Sequence, residues 1–133
     1  MVYLCFNISL MNILSLIIGG TAGTLARYFL NHIIYHFFRT SFPYGTLTVN
    51  LTGCFILGIL ASLSSETLFL TYNQRLLLVT GFCGAFTTFS TFIFETDHLI
   101  RNGEALKAIL NVLLSIVLGY VFFKVGGLLG KAL

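Results

Sequence analysis

The sequence predicts an all-α membrane protein with four transmembrane helices and little between them. Three observations predict it. Charged side chains are scarce: of 133 residues seven are Lys or Arg and four are Asp or Glu, 8% in all, against about 25% in an ordinary soluble domain. The apolar share is 57% and the mean hydropathy is +0.98. That leaves too few charges to cover a soluble globule, and far too much apolar side chain for a disordered chain. The charges are also unevenly placed. Residues 1–26, 40–65, 76–94 and 108–123 hold no Asp, Glu, Lys or Arg, and one bilayer-crossing helix needs about 20 apolar residues.

The first span runs from about Asn12 to Phe38, with Arg27 toward its far end. It reads as a retained span, because it lacks a basic start and a clear small-residue cleavage site before Arg27. Met11 offers a second start. Residues 1–10 are therefore expected to be a dispensable or non-native extension of a single four-span domain over 1–133. Gly19, Gly20 and Gly23 form a small-xxx-small surface, which is most often a packing device. Arg27 lies one turn beyond Gly23. Its guanidinium either snorkels to the interface or holds an aqueous vestibule positive toward anions. His32 and His36 are four apart, but nothing acidic lies nearby, so a metal site is not expected there.

Pro43 and Gly45 break the chain in Ser41-Phe42-Pro43-Tyr44-Gly45. The second span covers roughly Thr46–Leu63. Asn50 sits early in it, between Val49 and Leu51, and Thr46 lies one turn before on the same face. A buried amide in lipid is costly unless paired. An interhelical hydrogen bond is the plainer reading of Asn50, and donation to an anion is the functional one. A polar connection, Ser64–Asn73, follows.

The third span, Gln74 to about Ile100, has an abnormal middle: Gly81-Phe82-Cys83-Gly84-Ala85-Phe86-Thr87-Thr88-Phe89-Ser90-Thr91-Phe92. Two glycines and a Thr-Thr pair propagate a helix poorly, which predicts a helix broken at mid-membrane. Non-helical backbone at that depth must be buried in protein or line a cavity. Freed carbonyls at the end of the first half carry partial negative charge that a cation would satisfy. A continuous helix with glycines for close packing is the alternative. Phe89 and Phe92 are three apart and share a helix face, with the hydroxyls of Ser90 and Thr91 beside them. Ring edges are positive, so ring edges and hydroxyl donors together line an anion path without a fixed charge. Against this, any one of the 14 Phe is more simply a core or lipid-facing ring. Glu95 is one turn past Phe92 and closes the span with Asp97 and His98.

The fourth span starts after Arg101-Asn102-Gly103 and runs to about Leu129. An even number of spans places Arg75, Lys124 and Lys131 on one side and Arg39, Arg101 and Lys107 on the other. That is a tie under the rule that orients spans by loop Lys and Arg. Two opposed orientations, paired as an antiparallel dimer, and a single orientation fixed by something else both remain open on charge alone.

The same counts exclude other classes. Short loops leave no soluble catalytic domain, and scattered basic residues make no phosphate-binding patch, so no nucleic-acid partner is expected. Cys5, Cys54 and Cys83 have neither pair nor ligand spacing and read as buried thiols. No paired acids or positioned nucleophile lies inside a span, so the chain is not expected to be an enzyme.

Four blocks in order resemble the Fluc fluoride channel family, also called CrcB: Gly19-Gly20 to Gly23 with Arg27-Tyr28; Gly45-Thr46-Leu47 to Val49-Asn50; Gly81 to Gly84; and Thr87-Thr88-Phe89-Ser90-Thr91-Phe92 with Glu95. The resemblance covers nearly the whole chain from about Asn12, and its last block is long and specific. It implies an antiparallel dual-topology homodimer in a bacterial inner membrane, passing fluoride passively out of the cytoplasm. It further implies a structural, untransported sodium ion at the dimer centre, held by main-chain carbonyls that match Gly84 and Thr87. The pore positions match Asn50, Phe89 and Phe92, with Ser90, Thr91 and Thr46 on the polar track and Arg27 in the vestibule. Glu95, Asn111 and Ser115 are looser matches. Ala85 and Phe86 depart from a stretch that is richer in glycine in the family. A small multidrug-type carrier is the rival with four short spans, but it wants a carboxylate deep in the bundle, and residues 1–65 contain none. A non-transporting membrane subunit is the other rival.

Overall fold

The computed structural model describes residues 9–65 and 70–132. Helix α1, Leu10–Phe37, is started by Ser9, whose hydroxyl accepts the Met11 N–H at 3.2 Å. Its 28 residues reach about 42 Å at about 1.5 Å per residue, longer than the roughly 30 Å of hydrocarbon in a bilayer. The chain then turns through Phe38–Pro43. The Pro43 carbonyl accepts the Leu47 N–H at 3.1 Å and opens α2, Tyr44–Ser65.

The third span is built from pieces. Thr71 and Gln74 make a capping box, Thr71 N–H to Gln74 Oε1 at 2.8 Å and Gln74 N–H to Thr71 Oγ1 at 3.4 Å, which satisfies the orphan donors at the start of α3, Tyr72–Arg75. A π-helix, Leu76–Cys83, follows, and then the single turn α4, Gly84–Phe86. Thr87 (φ −78°, ψ 157°) and Thr88 (φ −148°, ψ 114°) are extended. Thr88 then caps α5, Phe89–Arg101, by accepting the Thr91 N–H at 3.3 Å. Gly103, at φ 77°, is the one described residue with positive φ. It turns the chain into α6, Ala105–Ala132.

Four segments are long and apolar enough to cross a membrane: Leu10–Phe37, Tyr44–Leu63, Tyr72–Arg101 and Ala105–Ala132. Each agrees with the span expected from sequence to within a few residues. The described residues contain helices and no strands. Of the connection Ser64–Asn73, residues 66–69 lie outside the described residues, as do Cys5 and most of the extension 1–10.

Two glycine seams hold the bundle. Helix α1 runs along the π-helix, and α2 runs along α6. A Cβ on Gly19 would overlap the Leu77 carbonyl, and one on Gly23 the Phe82 carbonyl. On the other seam a Cβ on Gly58 would overlap the Phe123 carbonyl, and one on Gly126 the Phe55 carbonyl. Missing side chains thus let whole backbones touch, the device that packs helices where lipid removes any hydrophobic drive. Of the expected surface Gly19-Gly20-Gly23, Gly20 points into open space. Large apolar side chains such as Ile17, Ile18, Phe29, Leu106, Ile116 and Leu128 are exposed. That is the reverse of a water-soluble fold and suits a lipid environment.

At one end of the bundle a polar staple ties two connections together. Ser41 Oγ donates to Glu104 Oε1 at 2.9 Å, Lys107 Nζ donates to the same oxygen at 2.7 Å, and Lys107 Nζ also donates to Ser41 Oγ at 2.6 Å. The hydrogen bonds from Lys107 and then Ser41 hold the Glu104 carboxyl below its ordinary range. Lys124 lies within α6, its ammonium 5.4 Å from the centroid of the Tyr120 ring.

Candidate functional site

The extended pair Thr87-Thr88 is the centre of the site, and its hydrogen bonds explain why the helix does not continue. In a regular helix the Thr88 N–H would go to the Gly84 carbonyl. Instead it donates to Asn50 Oδ1 at 2.9 Å, and Asn50 Nδ2 donates back to the Thr88 carbonyl at 3.2 Å. One amide side chain from α2 therefore replaces a helical turn of the third span. Thr87 closes the preceding turn: its N–H and its hydroxyl both donate to the Cys83 carbonyl, at 3.0 and 2.9 Å. The Thr88 hydroxyl donates to Thr91 Oγ1 at 2.9 Å. An unpaired polar group in lipid is costly, and this arrangement gives the N–H and hydroxyl groups of both threonines a partner.

A cleft of about 410 Å³ opens beside it, lined by Asn50, Thr87, Thr88, Phe89, Phe92 and Ser115 among others, with Cys54, Cys83 and Gly84 in its wall. No residue lining it carries a formal charge. Phe89 and Phe92 have ring centroids 5.8 Å apart and planes inclined at 37°. Phe92 is buried, whereas Phe89 stands 75% exposed, so the two rings straddle the rim. Asn50 has two N–H hydrogens on its amide nitrogen, of which the Thr88 carbonyl takes one. Ser115 contributes a hydroxyl whose oxygen has no partner.

The other expected positions fall in three places. Ser90 is exposed on the first turn of α5, and Thr91 is half-buried and held by Thr88. Asn111 lies away from the cleft lining. It is buried and donates to Thr96 Oγ1 at 2.9 Å, while Thr96 donates to the Phe92 carbonyl at 2.7 Å, so it ties α6 to the turn that carries Phe92. Thr46 and Glu95 meet near the far end of α1. Tyr35 Oη donates to Glu95 Oε1 at 2.9 Å, and buried Thr46 faces the Tyr35 phenol. Arg27 is half-buried on α1 and does not line the cleft.

Two groups were missed from sequence. Thr88 had a legible signal, since Thr88-Phe89-Ser90-Thr91 has the spacing of a helix N-cap. Tyr35 had none, because its partner is 60 residues away. Among the described residues no three His, Cys, Asp or Glu side chains converge as metal ligands. Any cation here would rest on main-chain oxygens such as the Gly84 carbonyl, which the diverted Thr88 N–H leaves free.

Comparison with known proteins shows the family. The family described as CrcB-like protein, Camphor Resistance (CrcB), matches residues 14–127. A protein of Chlorobaculum tepidum named fluoride-specific ion channel FluC is 47% identical over 120 residues, 90% of this chain and 94% of the relative. Proteins of the same name from Maridesulfovibrio salexigens and a Hydrogenobaculum species are 44% and 42% identical, over 85% and 92% of this chain and 90% and 100% of theirs. With a family match across all four spans and relatives alike along nearly their full length, the chain belongs to the CrcB family of integral, multi-pass membrane proteins, which are channels and not enzymes.

Proposed function

We propose that this chain is a passive, fluoride-selective channel that lets fluoride leave the cytoplasm across a bacterial inner membrane. The observation that carries the reading is the cleft at the Thr87-Thr88 interruption: hydroxyls, an amide and the rings of Phe89 and Phe92 line it beside apolar Leu57, Val79 and Ile116, with no formal charge. A small anion is strongly hydrated. A path for it must supply donors in place of water, yet not trap the ion as a lysine would. The free N–H of Asn50, the Ser115 hydroxyl and the edges of Phe89 and Phe92 meet that requirement, and Ser90, Thr91 and Thr46 extend the set along α5 and α2. Arg27 fits a vestibule role, raising local anion concentration without entering the narrow part. The relatives' name, fluoride-specific ion channel, supports fluoride as the ion.

The working unit of this reading is an antiparallel homodimer. Arg39, Arg101 and Lys107 on one side balance Arg75, Lys124 and Lys131 on the other, so the insertion machinery receives little orientation signal. The exposed cleft and exposed Phe89 supply a face for a second copy. The interruption then lies at mid-membrane, and the carbonyls of Gly84 and Thr87 fit a structural sodium ion. The Thr88 N–H that would neutralise the Gly84 oxygen is given to Asn50, and hard oxygen ligands suit an alkali cation. Bound there, sodium would supply a fixed positive charge that is not transported.

The test is fluoride and chloride efflux from liposomes containing the purified protein, with and without sodium. Fluoride efflux with little chloride efflux is expected. Chloride passing as readily as fluoride, or no flux of either, would overturn the function.

A further inference from the structure

We propose that Tyr35 is a positioning residue for ion passage: its phenol holds the Glu95 carboxylate toward α1 and so keeps a negative charge turned away from the anion leaving Phe92. The inference rests on the fluoride-channel reading above. Glu95 lies three residues after Phe92 on α5, on the same side of the helix. A carboxylate there is acceptor-only and of the wrong sign for an anion path. In a low-dielectric setting its repulsion is weakly screened.

The contact that restrains it is built rather than incidental. Tyr35 Oη donates to Glu95 Oε1 at 2.9 Å, and this is the one side-chain hydrogen bond of Glu95 among the described residues. The ring reaches that position because residue 45 is glycine. A Cβ there would sit 2.8 Å from Tyr35 Cε2 and 2.7 Å from Asn31 Oδ1. Three buried oxygens around the contact, on three different elements, lack a hydrogen bond of good geometry: Asn31 Oδ1 on α1, Thr46 Oγ1 on α2 and Glu95 Oε2 on α5. The Glu95 carboxylate is thus held at one oxygen only. Without the phenol it loses that hydrogen bond, and rotation about its side-chain bonds is then free to carry it toward Phe92.

The experiment is fluoride efflux from liposomes carrying the full-length protein, the variants Tyr35→Phe, Glu95→Asp and Glu95→Gln, and the double variant Tyr35→Phe/Glu95→Gln. Tyr35→Phe frees the carboxylate and is expected to lower efflux about tenfold or more. Glu95→Asp, one methylene too short to reach the phenol, should do the same without touching Tyr35. Removing the charge should rescue the loss: the double variant should match Glu95→Gln alone to within about twofold, the non-additivity expected of a coupled pair. Normal efflux in Tyr35→Phe and Glu95→Asp overturns the proposal. So does a double variant as slow as Tyr35→Phe, because the loss is then one of packing and not of charge. A wild-type protein that passes no fluoride overturns the channel reading itself, and the wild-type arm alone reveals it.

Discussion

Asn50 and the Thr88 peptide unit are bonded to each other in both directions, amide N–H to carbonyl at 3.2 Å and peptide N–H to side-chain oxygen at 2.9 Å. This pair decides where the third span stops being helical and which carbonyl, that of Gly84, is left without its helical donor. It also orients the cleft, because Phe89 and Phe92 hang from the helix that Thr88 caps. One side chain on α2 therefore holds the peptide unit from which the ring-bearing helix starts.

Asn50→Ala removes both bonds and leaves a peptide unit without partners, a change that costs about 1–3 kcal/mol per orphaned group when buried. Fluoride efflux should fall at least tenfold and thermal stability in detergent should drop. Asn50→Asp is the more discriminating variant. It still accepts from the Thr88 N–H but sets an oxygen against the Thr88 carbonyl, so it should lose flux as well. Unchanged efflux in Asn50→Asp would show that the donor N–H is not needed.

Phe89→Ile and Phe92→Ile should each abolish fluoride efflux while the assembled protein survives, because the ring edge is lost but volume is partly kept. Their stabilities should differ. Phe92 is buried, and its replacement should cost about 1–3 kcal/mol by altered packing. Phe89 is 75% exposed in the single chain and should cost little unless a second copy covers it. Efflux and size-exclusion profiles of both variants check the two parts separately.

Replacing sodium with a bulky organic cation should reduce efflux or loosen the dimer if the carbonyls of Gly84 and Thr87 hold a structural ion. The check is efflux and oligomeric state after exchange, followed by sodium add-back. Recovery on add-back is expected, and indifference to exchange would remove sodium from the reading.

What was legible in the sequence follows from what a bilayer demands of it. The four spans could be read because lipid excludes charge, and Arg27, Arg39, Glu66, Arg75, Glu95, Lys107 and Lys124 bound the charge-free stretches. The glycines and threonines at 81–88 marked the trouble spot in the third span. The pairings that organise it were not legible: Asn50 finds Thr88 across 38 residues and Tyr35 finds Glu95 across 60, and no local spacing encodes either. Nor does Leu76–Cys83 announce a π-helix, because its apolar run fits an α-helix equally well. Asn111 entered only as a loose match to the family's polar track, and no local spacing encodes the hydrogen bond it gives to Thr96.

The staple of Ser41, Glu104 and Lys107 gives a pH dependence of definite sign. Glu104 has its carboxyl pKa lowered from 4.5 in the folded protein by the hydrogen bonds from Lys107 and Ser41. Its contribution is therefore fully present above the unfolded value and is lost as pH falls through the lowered folded one. Melting temperature in detergent should decline on acidification below about pH 4.5, and Glu104→Gln should flatten part of that decline. The pair is partly exposed, so the effect should shrink at high salt. Identical acid profiles for the two proteins would show that the staple contributes nothing.

The two neighbouring glycines of α1 should behave oppositely. A Cβ on Gly19 overlaps the Leu77 carbonyl, which belongs to a π-helix and cannot rotate out of the way, whereas a Cβ on Gly20 meets nothing within 4 Å. Gly19→Ala must push α1 off the third span, and overpacking of this kind costs about 1–3 kcal/mol. Because only the single turn α4 separates the π-helix from the Thr87-Thr88 interruption, the displacement should also reach the cleft and reduce fluoride efflux. Gly20→Ala should fold as the wild type or slightly better, since alanine is the stronger helix former. Melting temperature and efflux measured side by side decide it. A Gly19→Ala protein that is stable and fully active would show that the α1 seam is looser than its backbone contacts imply.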